Sequence, residues 1–185
     1  MTQQETTRKP RFATVWLGGC SGCHMSFLDV DEWVIDLAEL VDVVYTPIAD
    51  IKKFPEDVDI TLVEGAVANE DNLEMLIQVR ERSKMVIAFG DCAVTGNVTA
   101  MRNPLGTATS VVKAVYSDRG DLNAQNPESC ILPVLLDTVR PLHEVVHIDA
   151  FLYGCPPSAA RIRAALEQIL SGQSAEATTV TAKFG

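Results

Sequence analysis

Arg11-Phe-Ala-Thr-Val-Trp-Leu17 runs directly into Gly18-Gly19-Cys20-Ser21-Gly22-Cys23. A short apolar segment bounded by a glycine pair reads as a strand, and the pattern that follows from Met25 is helical. The same construction recurs along the chain. Val58–Val63 ends at Glu64-Gly65, Met85–Phe89 at Gly90-Asp91-Cys92-Ala93, and Val145–Phe151 at Gly154-Cys155-Pro156-Pro157. Strands alternating with helical patterns predict an α/β sandwich with a mostly parallel sheet. Such sheets bind ligands at the carboxyl ends of their strands. Cys20, Cys23, Glu64, Cys92 and Cys155 all follow predicted strands, so residues distant in sequence are expected to meet at one edge.

The remaining elements fit around these strands. Met25–Leu40 is expected as one helix, burying Phe27, Leu28, Val34, Ile35, Leu37 and Ala38. Val41–Thr46 reads as a short strand. Asn69–Arg82 reads as a helix with Leu73, Leu76, Ile77 and Val79 inward and Asn69 or Asp71 as its cap. Thr95–Pro104 is expected as a long loop and Thr109–Tyr116 as a helix. Asp118–Pro133 is polar and irregular, Asp137–Leu142 a short helix, and Ala159–Leu170 a helix capped by Ser158. The domain organisation expected is a flexible segment 1–10, one domain over 11–170 and a fraying tail over 171–185.

With 47% hydrophobic and 22% charged residues among 185, the chain is too apolar for disorder. A formal net charge of −10 argues against nucleic acid, which basic surfaces bind. Met1–Pro10 is polar, no apolar signal core follows, no twin-arginine pair is present, and no apolar run reaches spanning length. The expectation is a cytoplasmic protein with no membrane span. In that compartment cysteines bind metals or do chemistry rather than form disulfides.

Four thiolates gathered from three strand ends suit one four-iron cluster, which requires cysteine ligands, shelter from water and amide groups aimed at sulfur. Glycines let the backbone approach such a group. One cysteine alone would read as a small buried hydrophobe; four at matching positions argue otherwise. The fifth, Cys130, lies in Pro127-Glu128-Ser129-Cys130-Ile131 with no comparable setting. Zinc is disfavoured because one CxxC is accompanied by two widely separated single cysteines rather than a second pair. A thioredoxin-like dithiol would leave Cys92 and Cys155 unexplained.

Three further patterns are weaker. His143-Glu-Val-Val-His147 matches a zinc-protease motif, but Val145, Val146 and Ile148 favour a strand, which would hold the two histidines too far apart. Gly18-Gly19-Cys20-Ser21-Gly22 occupies the place of a dinucleotide loop without its glycine spacing or a phosphate-binding lysine. His24 reads as an ordinary hydrogen-bonded residue near a turn.

Taken in order, Gly-Cys-Ser-Gly-Cys, Val63-Glu64-Gly65, Gly90-Asp91-Cys92-Ala93 and Gly154-Cys155-Pro156-Pro157 resemble the small subunit of [NiFe] hydrogenases over about Phe12 to Leu170. The longer runs Cys20–Asp29 and Gly90–Val98 look most like the cytoplasmic, bidirectional NAD(P)-linked members. The resemblance implies a flavodoxin-like domain in which Cys20, Cys23, Cys92 and Cys155 ligate one [4Fe-4S] cluster, with Glu64 close by. It implies that the Ni-Fe site belongs to a partner large subunit, so no catalytic residue lies in this chain. Electrons would pass between that site and a diaphorase bearing flavin and iron–sulfur groups that reduces NAD+. Membrane-bound relatives carry a twin-arginine signal and a carboxyl-terminal region for two more clusters; this chain has neither, so one cluster is expected. Some NAD-linked relatives are thought to hold a second flavin near this subunit, and no residue here demands FMN. The cluster-bearing subunit of complex I shares the single-cysteine motifs but begins with adjacent cysteines, so the CxxC favours the hydrogenase. A non-catalytic four-cysteine scaffold module is the alternative of a different class.

Overall fold

The computed structural model describes residues 8–117 and 133–172. Residues 1–7, most of the polar stretch after Asp118 including Cys130, and the tail from Gln173 lie outside the described residues.

Five parallel strands form the main sheet: β1 (Arg11–Trp16), β2 (Asp42–Tyr45), β3 (Val58–Glu64), and two later strands over Ser83–Phe89 and Ala150–Leu152. A short β4 (Val67–Asn69) stands outside it, so those two are β5 and, after a further strand β6 (Leu135–Arg140), β7. The spatial order is β2-β1-β3-β5-β7. Counting main-sheet strands alone, this is second, first, third, fourth, fifth, the flavodoxin-like doubly wound order.

Each strand alternates its side chains between the two faces. Phe12, Ile60, Leu62, Ile87 and Phe89 enter one core; Ala13, Val15, Val63, Val86 and Ala88 enter the other. On the first face pack Trp33 and Leu37 of α2 (Trp33–Leu40) and Ile162 and Leu166 of α7 (Ala159–Leu170). On the second pack Leu76 and Val79 of α3 (Glu70–Arg82). The result is the expected α/β sandwich of three layers.

The expected helix over Met25–Leu40 is two, α1 (Gly22–Leu28) and α2. The acidic run Asp29-Val30-Asp31-Glu32 interrupts it, with Asp31 at φ 54. The break resets the helical phase: Leu37 is buried as expected and Trp33 joins it, whereas Ile35 is 66% exposed and Ala38 faces solvent. In α3, Leu76 and Val79 face inward as expected, but Ile77 is exposed; Asn69 is the cap, accepting from the Asn72 N–H. Ser158 stands at the amino end of α7 without a side-chain cap bond.

Residues Asp137–Leu142 are not a helix. They belong largely to β6, antiparallel to β4 in a separate two-stranded sheet. Pairing with an edge strand overrides the local preference, and Arg102 clamps the pair by donating to Ala68 O at 3.0 Å and Leu136 O at 2.5 Å. The expected strand Val145–Phe151 shrinks to β7, because Leu142–Glu144 form a 3-10 turn in which Leu142 is buried. The expected loop Thr95–Pro104 contains α5 (Asn97–Ala100), which follows α4 (Asp91–Thr95), and a 3-10 turn at Asn103–Leu105. Helix α6 (Ala108–Val112) continues as a π turn over Lys113–Ser117, close to the expected span.

Among the described residues no helix is long and apolar enough to cross a membrane.

Candidate metal centre

The sheet register brings the site together. Trp16 pairs with Glu64, Glu64 with Phe89, and Phe89 with Leu152. These four residues form one row at the carboxyl ends of β1, β3, β5 and β7. Each strand then releases its loop at the same level: Gly18–Cys23, Gly65, Gly90–Cys92 and Gly154–Cys155. The loops are bonded to one another. Gly90 N–H donates to Leu152 O at 2.8 Å, Asp91 N–H to Gly154 O at 2.9 Å, and Gly154 N–H to Asp91 Oδ1 at 2.8 Å. Ser26 Oγ in α1 donates to Pro157 O at 2.6 Å, tying the helix after the CxxC to the loop after Cys155.

All four predicted cysteines are free and share this end of the sheet. Cys23 is buried, Cys92 half-buried, and Cys20 and Cys155 exposed. Burial pushes the Cys23 thiol far up from its ordinary pKa, with further upward contributions from Glu64, Cys92, Cys20 and Cys155. Cys92 is also raised by burial, which outweighs the lowering by nearby Thr99 and by the Val98 backbone. Thiols held this way stay protonated until a cation replaces the proton, because a bound metal inverts the local preference.

Backbone closeness is built in at Gly90. At φ 85 it lies where side chains are disfavoured, and a Cβ added there would stand 2.1 Å from Cys23 Sγ. Gly22 N–H points at Cys20 Sγ at 3.4 Å, and Asn97 Nδ2 at Cys155 Sγ at 3.3 Å. Three strand-end loops carrying thiols, with glycine where a Cβ would collide and N–H groups directed at sulfur, fit an iron–sulfur cluster. Among the described residues no group of three or more His, Cys, Asp or Glu side chains closes on a single metal ion, whereas a cluster takes its thiolates on several irons and needs them spread around it.

Glu64 is 1% exposed and sits beneath the CxxC. It accepts from His24 N–H at 2.9 Å and Cys23 N–H at 3.4 Å, and His24 Nδ1 contacts its Oε2. His24 Nε2 is buried with no partner among the described residues. His24 is hydrogen-bonded, as the sequence leads one to expect; its partner Glu64 lies 40 positions on, and the β1–β3 pairing joins them. Asn97 was missed entirely. The His143–His147 pattern is not a site: His143 lies in the 3-10 turn with its ring edge on Phe151, and exposed His147 stands 3.5 Å from Asp149. Of the strand expected there only Ala150–Leu152 forms, beyond both histidines.

A family model described as NADH ubiquinone oxidoreductase, 20 Kd subunit matches residues 20–169. The chain belongs to this family. It is 38% identical over 168 residues to the NAD-reducing hydrogenase HoxS subunit delta of Cupriavidus necator, covering 89% of this chain and 80% of that protein. It is 35% identical over 174 residues to a subunit of the F420-non-reducing hydrogenase of Methanothermobacter thermautotrophicus, covering 91% of this chain and 56% of that protein. The chain thus spans little more than half the length of several relatives it matches. A crystal structure of NAD+-reducing [NiFe]-hydrogenase in the H2-reduced state contains a chain superposing with a TM-score of 0.88 at 38% identity, over 96% of this chain and 100% of that one. The expected resemblance to small subunits of NAD-linked hydrogenases is borne out. The match to the 20 Kd subunit model begins at Cys20, the first of the four cysteines described above.

Proposed function

We propose that this chain is the electron-transferring small subunit of an NAD-reducing [NiFe] hydrogenase, and that Cys20, Cys23, Cys92 and Cys155 hold one [4Fe-4S] cluster. The observation that carries this reading is the convergence of the four cysteines, on loops at the carboxyl ends of β1, β5 and β7. The similarity to the HoxS delta subunit and to the NAD+-reducing hydrogenase chain supports it. When bound, the cluster supplies one-electron transfer. The chain's own residues do the rest. Cys23 anchors from the buried side, Gly90 lets the backbone approach, Gly22 and Asn97 direct N–H groups at sulfur, and Glu64 fixes the CxxC loop by its amides.

On this reading the Ni-Fe site lies in a large-subunit partner and a flavin- and iron–sulfur-bearing diaphorase takes the electrons, in the cytoplasm. The exposed apolar side chains Trp16, Met25, Val98 and Met101 lie on elements at the cysteine end, consistent with a partner there.

Iron, acid-labile sulfide and the reduced-cluster EPR signal of the anaerobically purified chain test the proposal. Four irons and four sulfides are expected per chain. Cys92→Ser is expected to lose the signal and H2-dependent NAD+ reduction, and Cys130→Ser to keep both. Zinc without sulfide would overturn the reading, as would an unchanged signal in Cys92→Ser.

A further inference from the structure

We infer that Asn97 sets the reduction potential of the cluster through a hydrogen bond donated to Cys155; the inference rests on the four-cysteine reading above. Asn97 Nδ2 lies 3.3 Å from Cys155 Sγ, although the two residues are 58 apart in sequence. An iron-bound thiolate has no proton and only accepts, so the amide must turn its NH2, not its oxygen, toward sulfur.

The geometry holds this donor in place. Asn97 is half-buried and opens α5 directly after Gly96, which ends α4 at φ 81. Asn97 itself has φ 32, in the left-handed region that asparagine tolerates better than most side chains. Two residues on in α5, Thr99 Oγ1 donates to Gly18 O at 2.9 Å. The four-residue helix is therefore pinned to the turn that leads into the CxxC, while its first side chain reaches the loop of the fourth cysteine. It spans the mouth between two ligand loops.

An N–H group donated to a cluster thiolate stabilises the more negative, reduced state and raises the potential. Asn97 is thus a tuning residue acting through Cys155, not a ligand. Two variants separate its amide from its backbone. Asn97→Gly suits the positive φ and removes the donor. Asn97→Asp keeps the shape and replaces the donor with a carboxylate that repels the thiolate.

The test is a redox titration followed by EPR on the full chain, purified anaerobically, with iron and sulfide measured in parallel. Asn97→Gly is expected to retain the wild-type iron and sulfide content and to shift the midpoint potential downward. Asn97→Asp is expected to shift it further down. A midpoint in Asn97→Gly equal to or above wild type overturns the inference. So does loss of iron from Asn97→Gly, which would make the residue structural. Absence of iron and sulfide from the wild-type chain would instead sink the four-cysteine reading, so the two failures are distinguishable.

Discussion

At the amino end of the sheet, Asp59 is enclosed by partners: Lys84 Nζ at 2.8 Å, Arg8 Nη2 at 3.3 Å and the Arg11 N–H at 2.8 Å. At the carboxyl end, Cys23 is buried beside a carboxylate and three other thiols, and His24 Nε2 has no partner among the described residues. Both ends gather groups from several strands of one sheet. One end satisfies its charges internally; the other keeps donors and thiols in reserve. Burying polar groups without full compensation costs stability, so it persists where something else completes the set. This contrast marks which end is scaffold and which is site, and mutations at the two ends should differ in kind.

The largest effect is expected from Gly90→Ala. The new Cβ would fall 2.1 Å from Cys23 Sγ and 3.4 Å from Gly154 O, so it presses on two cysteine-bearing loops at once. It would also sit at φ 85, a strain of order 1–3 kcal/mol. Of the two cores flanking the sheet this contact presses on Cys23 at the rim of one, and the rest is strand and helix side chains, so circular dichroism should keep its native shape while iron content collapses. A variant with wild-type iron would mean that the Gly90 approach is incidental and would blur the contrast between the ends.

Glu64→Gln ranks next. The carboxylate accepts two backbone N–H groups through separate oxygens, and His24 Nδ1 closes on one of them. An amide offers one accepting oxygen and sets its NH2 against a donor. Losing one buried acceptor costs about 1–3 kcal/mol. A lower urea midpoint is expected, together with faster iron loss on exposure to chelator, because the displaced groups belong to the CxxC loop. Lower stability with unchanged chelator resistance would reduce Glu64 to a core polar residue.

The strand ends and the four cysteines were legible because both signals are local: apolar runs of strand length stop at glycines, and cysteines follow. Trp33 shows the limit. The helical period over Met25–Leu40 placed Leu37 and Ile35 inside, but the break at left-handed Asp31 turned α2 so that Trp33 joined Leu37 in the core and Ile35 left it. Residues Leu135–Arg140 failed for another reason: their strand exists because β4 offers an edge, and β4 itself has only three residues. Glu64 was legible at its strand end, but its bond to His24 and the Asn97–Cys155 contact join residues 40 and 58 positions apart, which no local pattern encodes.

The smallest effect belongs to the amino end. Burial alone would raise the Asp59 carboxyl, but the hydrogen bond from Lys84, the Arg11 N–H and the charges of Lys84 and Arg8 outweigh it and hold the pKa below its ordinary value. A carboxylate with a depressed folded pKa stabilises the fold above the unfolded value, about 3.9, and that stabilisation fades as pH falls through the folded value. Lys84 and Arg8 are themselves largely exposed, which screens their contribution to at most about 1 kcal/mol. Asp59→Asn should therefore lower the urea midpoint slightly and equally at pH 7 and pH 5, and converge on wild type below about pH 4. Iron content and cluster potential should not move, since none of the four cysteines of the site touches this end. A change in potential would show that the two ends are coupled through the sheet and that the division into scaffold and site is too sharp.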